Sequence, residues 1–276
     1  MQAEQAWAQD GAAEVAVVLV RPREEGNVGA AARAMANMGL TRLILVEPAA
    51  ALGPTARAFA VGARSVLDGC SRAGSLREAL APFPRVVGTT STRDRRQAVP
   101  LIGPQELPAR LAADPPGTPV ALVFGPEVGG LTNEELAHAN LVVSVPCAPL
   151  QPTLNLAQAV LILAYELYQA RLGAARAMGG PGVPSAGAPS AGAPVPAIAP
   201  GAPAHGAEPP ANSAEVDGLL DHAAAVLRRI GFERDSTFPG VLRDLRAAAA
   251  RAGLTRREAA ILRGICRRAE HALKPG

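Results

Sequence analysis

Aromatic side chains are scarce in this sequence, at 3% of 276 residues, with one tryptophan, two tyrosines and five phenylalanines. The apolar content of 49% therefore rests on alanine, valine and leucine, which pack well between the layers of an α/β domain. Cysteine is nearly as rare. Cys70, Cys147 and Cys266 lie far apart, with no CxxC pair and no histidine cluster nearby, so neither a zinc site nor a disulfide framework is readable. Isolated thiols read as small buried groups in a reducing compartment, which points to the cytoplasm. The longest apolar stretch, Leu154 to Tyr168, is interrupted by Asn155, Gln158 and Glu166 and is too short for a bilayer, so no membrane partner is expected. Met1 to Glu14 has no cationic segment followed by an apolar one and reads as a disordered tail, not a secretory signal. Charge is also modest. A formal net charge of +3 permits a nucleic-acid partner without arguing for one.

What is present has an α/β rhythm. Glu14 to Val20 is a β-branched apolar run, as a strand buried on both faces of a parallel sheet requires, and it stops at Arg21-Pro22. Helical spacing follows in Val28, Ala31, Ala32, Met35 and Met38, with Gly39 as terminator, and Arg42 to Val46 returns to strand. This βαβ unit predicts a parallel sheet with right-handed crossovers. Helices are expected over Thr55 to Leu67 and Ser75 to Leu80, and strands over Arg85 to Gly88, Val120 to Phe124 and Leu141 to Val145. Thr132 to Glu135 has capping-box spacing for a helix reaching about Ala139, and a long helix covers Leu154 to Leu172, closing a domain over 15–176.

From Ala177 to Ala211 the composition collapses to Ala, Gly, Pro and Ser, which cannot bury enough apolar surface to offset ordering entropy, so a flexible linker is expected. Residues 212–276 then form a small helical unit. Asn212 to Glu215 caps a helix through Arg229, a second helix fits Gly240 to Ala252, and Thr255 to Glu258 caps a third reaching about Leu273. Arginines recur through this unit, from Arg228 and Arg229 to Arg267 and Arg268. They fit contact with an RNA backbone, and equally a solvated surface on an arginine-rich background.

Three segments lie where chains leave predicted strands, the place open α/β sheets bind ligands. Glu25-Gly-Asn27-Val-Gly29-Ala-Ala-Ala-Arg33 offers Gly29 for close chain approach, Asn27 as a helix cap and Arg33 away from the apolar stripe. Its spacing is not the GxGxxG fingerprint, which sets aside a nicotinamide-binding reading. Phe124-Gly125-Pro126-Glu127-Val-Gly129-Gly130-Leu131 is a glycine-rich strand-to-helix loop, and Pro152-Thr153-Leu154-Asn155-Leu156-Ala157 leads into the long helix. Singly, each has a bland reading: a solvated arginine, a common glycine turn, a helix cap at Thr153.

Together and in this order, the three segments closely resemble the signature motifs of SpoU-type methyltransferases in the SPOUT superfamily. The resemblance covers roughly Val15 to Arg171, and Leu254 to Gly264 is similar to the C-terminal extension of TrmJ-like tRNA methyltransferases. It implies an α/β SPOUT fold with a parallel sheet and a C-terminal trefoil knot, plus a small all-α C-terminal module. It further implies an S-adenosylmethionine-dependent RNA (ribose-2′-O)-methyltransferase acting on tRNA, at the pyrimidine at position 32 of the anticodon loop, as a homodimer with its active site at the subunit interface. By the same resemblance, S-adenosylmethionine lies among Thr89, Thr90, Ser91, Thr92, Gly125, Val145, Pro152, Thr153 and Leu154. Arg33 matches the catalytic arginine, with Asn27, Glu127 and Asn155 beside it and Glu127 holding amides or Asn27 in place. Pro126 departs from the polar or charged residue usual in relatives, and Thr153 replaces serine while keeping a hydroxyl. Another tRNA position, an rRNA target, and a non-catalytic knotted RNA-binding protein stay open at this point.

Overall fold

In a computed structural model, residues 14–49, 52–91, 101–177, 208–232 and 238–273 are described. Val15–Val20 (β1) is buried at every position. Its residues alternate between two cores: Val17 and Leu19 face one, and Ala16, Val18 and Val20 face the other. An unbroken apolar run with period two is what a strand covered on both sides needs.

Following β1, the chain forms α1 (Glu25–Asn37), β2 (Arg42–Val46), α2 (Pro54–Phe59), α3 (Arg64–Asp68), β3 (Ser71–Ala73), α4 (Leu76–Leu80) and β4 (Arg85–Thr89). Then come β5 (Leu101–Ile102), α5 (Leu107–Ala112), β6 (Val120–Phe124), α6 (Asn133–Leu136), β7 (Leu141–Val143) and α7 (Leu156–Ala177). The seven strands form one sheet in the order β3-β2-β1-β6-β4-β7-β5, with every pairing parallel. Later strands thus insert among earlier ones: β6 lies between β1 and β4, and β7 between β4 and β5. The α/β expectation holds, and the described C-terminal chain forms the helices α8 (Ser213–Arg229), α9 (Phe238–Ala252) and α10 (Arg256–Ala272), with an antiparallel bridge between Pro210 and Thr255 beside them.

Several boundaries differ from the sequence reading. The single helix expected over Thr55 to Leu67 is two, α2 and α3, separated around Gly62 at φ +76. An L-residue rarely adopts that conformation, so the glycine marks a turn that helical spacing alone does not reveal. Helix α6 ends at Leu136 rather than about Ala139. The tail and linker expectations fall largely outside the described residues. Glu14 is described, and its carbonyl accepts from the Val120 amide at 2.8 Å.

The C-terminal helices lie on the α/β domain, with α8 packed along α10 and reaching α4. The first amides of α8 have no intrahelical acceptors, and carbonyls of the α/β domain supply two. Ser213 donates to the Phe83 carbonyl through its amide (3.1 Å) and Oγ (2.8 Å), and the Ala214 amide donates to Ala81 (3.2 Å). Buried Asp217 lies 3.0 Å from Arg77 Nε and bonds Arg246 on its other oxygen. Asn140 Nδ2 donates to the Ala250 carbonyl at 3.1 Å.

Candidate active site

Three loops leave the carboxyl ends of β4, β6 and β7 side by side, because those strands are sheet neighbours. Thr89 Oγ1 donates to the Val123 carbonyl (2.9 Å) and the Thr90 amide to the Val143 carbonyl (3.0 Å), stitching the end of β4 to both flanking strands. Between the loops lies a cavity of about 310 Å³, lined by Thr89, Thr90, Ser91, Gly125, Val145, Pro152, Thr153 and Leu154. These are all the residues nominated for cofactor contact except Thr92, which lies outside the described residues.

Gly125 is dictated by geometry, since a Cβ there would lie 2.3 Å from the Leu131 amide nitrogen. The loop folds back on itself, helped by Gly129 and Gly130 at φ +89 and +62. Pro126 lines the same cavity and offers no backbone donor.

Glu127 lies at the start of α1, whose N-cap residue Glu24 makes no side-chain cap bond. The missing acceptor comes from across the sheet. Glu127 accepts from the Arg23 amide (3.0 Å), the Glu24 amide (3.2 Å) and Asn27 Nδ2 (2.9 Å). A carboxylate on free amides at a helix N-terminus also meets the favourable end of its dipole. Burial pushes the Glu127 carboxyl up, but the bonds from Asn27 and the backbone outweigh it and hold the group below its ordinary value.

Asn27 is not the cap expected from sequence, because α1 begins at Glu25 and places Asn27 in its first turn. There it couples two motifs. Its Nδ2 binds Glu127, and its Oδ1 accepts from Asn155 Nδ2 at 2.8 Å. Asn155 in turn precedes α7, and its Oδ1 accepts from the Ala157 amide (2.9 Å) while its amide donates to Gln158 Oε1 (3.1 Å). Asn155, not Thr153, therefore caps that helix.

Arg33 is exposed on α1, makes no ion pair among the described residues, and is not among the residues lining the cavity. Sequence reasoning missed the apolar walls Leu131, Leu156, Ala159 and Leu163, and the neighbour Cys147. Leu156, Ala159 and Leu163 recur at helical spacing on α7 just past the third motif, so periodicity carried a signal for them. It also missed the ion pair between Arg21 and Glu135, where the capping-box carboxylate of α6 ties that helix to the end of β1.

The model of the SpoU rRNA methylase family matches residues 14–165, which span all three motif segments. The chain belongs to the SpoU methylase family. A second model, the C-terminal domain of the tRNA methyltransferase TrmJ, matches residues 214–276 of this SpoU methylase. The tRNA (cytidine/uridine-2′-O-)-methyltransferase TrmJ of Pectobacterium atrosepticum is 36% identical over 251 residues, covering 91% of this chain and 94% of its own. TrmJ of Shigella dysenteriae is 44% identical over 158 residues, covering 57% of this chain and 64% of its own. Among solved structures, TrmJ from Z. mobilis ZM4 superposes with a TM-score of 0.74 at 30% identity, covering 92% of this SpoU methylase and 98% of that chain. A probable methylase family protein from Haemophilus influenzae Rd KW20 gives a TM-score of 0.56 at 29% identity, covering 95% and 97%.

Proposed function

We propose that this chain is an S-adenosylmethionine-dependent methyltransferase that modifies the ribose 2′-hydroxyl of a pyrimidine in tRNA, at position 32 of the anticodon loop. The observation that carries this is the bonded chain Glu127–Asn27–Asn155, which joins all three motif segments beside one cavity. Similarity to TrmJ along nearly the whole length, C-terminal helices included, favours tRNA and a pyrimidine over other RNA targets.

S-adenosylmethionine supplies a methyl group on a sulfonium sulfur, open to displacement by an oxygen nucleophile. The cavity fits such a ligand in chemistry. Leu131, Leu156, Ala159 and Leu163 give apolar wall for a purine, while Thr90, Ser91 and Thr153 bring hydroxyls and Gly125 lets main chain approach. In this reading Thr89, Thr90, Ser91, Thr92, Gly125, Val145, Pro152, Thr153 and Leu154 hold it. The strand order, with β7 inserted between β4 and β5, supports the knotted arrangement of this segment.

The chain's own task is to align the ribose oxygen and manage charge as its proton leaves. Glu127 is a poor proton acceptor, since its oxygens are committed to three donors and its carboxyl is held low. Its role is to fix α1 and α7. The forked donors of its guanidinium suit Arg33 to orient the target phosphate and stabilise developing alkoxide charge. Because Arg33 stands outside its own protomer's cavity while Leu161 and Tyr165 on neighbouring α7 are exposed, we place it at a homodimer interface, serving the partner's cavity. The reaction then takes place in the cytoplasm, with tRNA.

Calorimetric titration with S-adenosylmethionine, alongside transfer rates, tests this assignment. Arg33→Ala is expected to lower transfer at least ~100-fold, the scale of losing one stabiliser of transition-state charge, with cofactor affinity nearly unchanged. Equal loss of both would remove Arg33 from the reaction and make it structural.

A further inference from the structure

The arginines of the C-terminal helices divide by what they already hold. Arg246 bonds Asp217, Arg243 lies by Glu134, Arg256 by Glu215 and Arg229 by Glu270, and Arg263 donates to His222. On α10, Arg257, Arg267 and Arg268 are exposed and make no ion pair among the described residues. Arg257, Ile261, Ile265 and Arg268 follow one another at spacings of four, four and three, which places all four on one side of the helix. The other side carries buried Ala259 and packs on α8.

The centre of this outer face is apolar and open. Ile261 is 52% exposed and Ile265 58%, and a Cβ on intervening Gly264 would meet nothing within 4 Å. The two arginines bracket it about 16 Å apart along the axis. A surface with an apolar middle and guanidinium ends matches few partners. A regular RNA duplex offers phosphates but little apolar surface, whereas an unstacked stretch of a few nucleotides exposes base faces and riboses between its phosphates. A second copy is disfavoured. Antiparallel pairing across the isoleucines would set Arg257 of one chain near Arg268 of the other, opposing like charges.

We propose that this face of α10 docks an unpaired stretch of the RNA substrate, with Arg257 and Arg268 on phosphates separated by more than one nucleotide and Ile261 and Ile265 against the nucleotides between. The inference rests on the tRNA reading above and assigns it a second contact surface, apart from the cavity. Guanidinium forks match phosphate oxygens in two bonds each, which makes the arginines the anchors.

Two double variants of the full chain, Arg257→Gln with Arg268→Gln and Ile261→Ser with Ile265→Ser, test it with bulk tRNA as probe. All four side chains are exposed, and thermal melting by circular dichroism checks that each variant folds. The arginine pair is expected to weaken tRNA binding about tenfold and to flatten the dependence of log affinity on log salt by about 1.4, the single-strand value for two phosphate contacts. The isoleucine pair is expected to weaken binding several-fold without changing that slope. In both, KM for tRNA rises while kcat at saturating tRNA holds. Unchanged tRNA affinity in either variant overturns the proposal. So does a drop in oligomeric state by sedimentation in the isoleucine variant, which would give the face to a second copy. Absence of methyl transfer from the unaltered chain would instead refute the functional reading, so the two failures are separately visible.

Discussion

Glu127 concentrates the local logic of the site, because one carboxylate accepts from two backbone amides and the Asn27 side chain. Glu127→Gln keeps the size but exchanges an acceptor oxygen for a donor, so an amide of Arg23 or Glu24 loses its partner. Both amides are exposed and can turn to water, so the expected cost in urea unfolding is about 0.5–1.5 kcal/mol, the net worth of one hydrogen bond. Transfer should fall at least ~10-fold as α1 and α7 lose register. Unaltered stability and rate would show the three bonds to be incidental. Asn27, Glu127 and Asn155 were legible as candidates from residue type and motif order, whereas their mutual bonds were not. Asn27 and Glu127 are 100 residues apart, and nothing in the local sequence around either encodes the other.

Gly29 shows how an element depends on one absent atom. A Cβ there would lie 2.1 Å from the Ala56 carbonyl oxygen, backbone against backbone, so α1 and α2 would have to separate. Gly29→Ala is expected to destabilise the fold by about 1–3 kcal/mol, seen as a lower urea midpoint with unchanged m-value; a shift under about 0.5 kcal/mol would contradict the close approach. The elements that sequence exposed are those with strong local signatures. Strands β1 and β6 are buried throughout and read as continuous apolar runs. The caps at Ser75, Thr132, Asn212 and Thr255 form within three residues of themselves. What was missed has little signature. Strand β3 carries exposed Ser71 and Arg72, and β5 is only Leu101–Ile102, so both are strands because a neighbour offers its edge.

Across the whole molecule, the α/β domain and the C-terminal helices meet at a polar contact. His138 lies there, with Nδ1 3.2 Å from Arg246 Nη1, beside Asp217, Arg77 and Glu135. Burial first, then the Arg246 charge, pulls the imidazole down to about 4. A histidine held neutral in the fold but free to protonate when unfolded costs stability as pH falls below about 6.5. The loss between pH 7 and pH 5 is on the order of 2 kcal/mol. The fall in Tm over that interval should therefore shrink in His138→Gln; an unchanged fall would mean that other groups set the acid sensitivity. In the proposed reading these parts together serve methyl transfer to tRNA. The direct test is transfer from labelled S-adenosylmethionine to bulk tRNA by the unaltered chain and by Arg33→Ala, with the product mapped by nucleoside mass spectrometry. A 2′-O-methylpyrimidine at position 32, absent with Arg33→Ala, is the predicted result; transfer to rRNA and none to tRNA would contradict it.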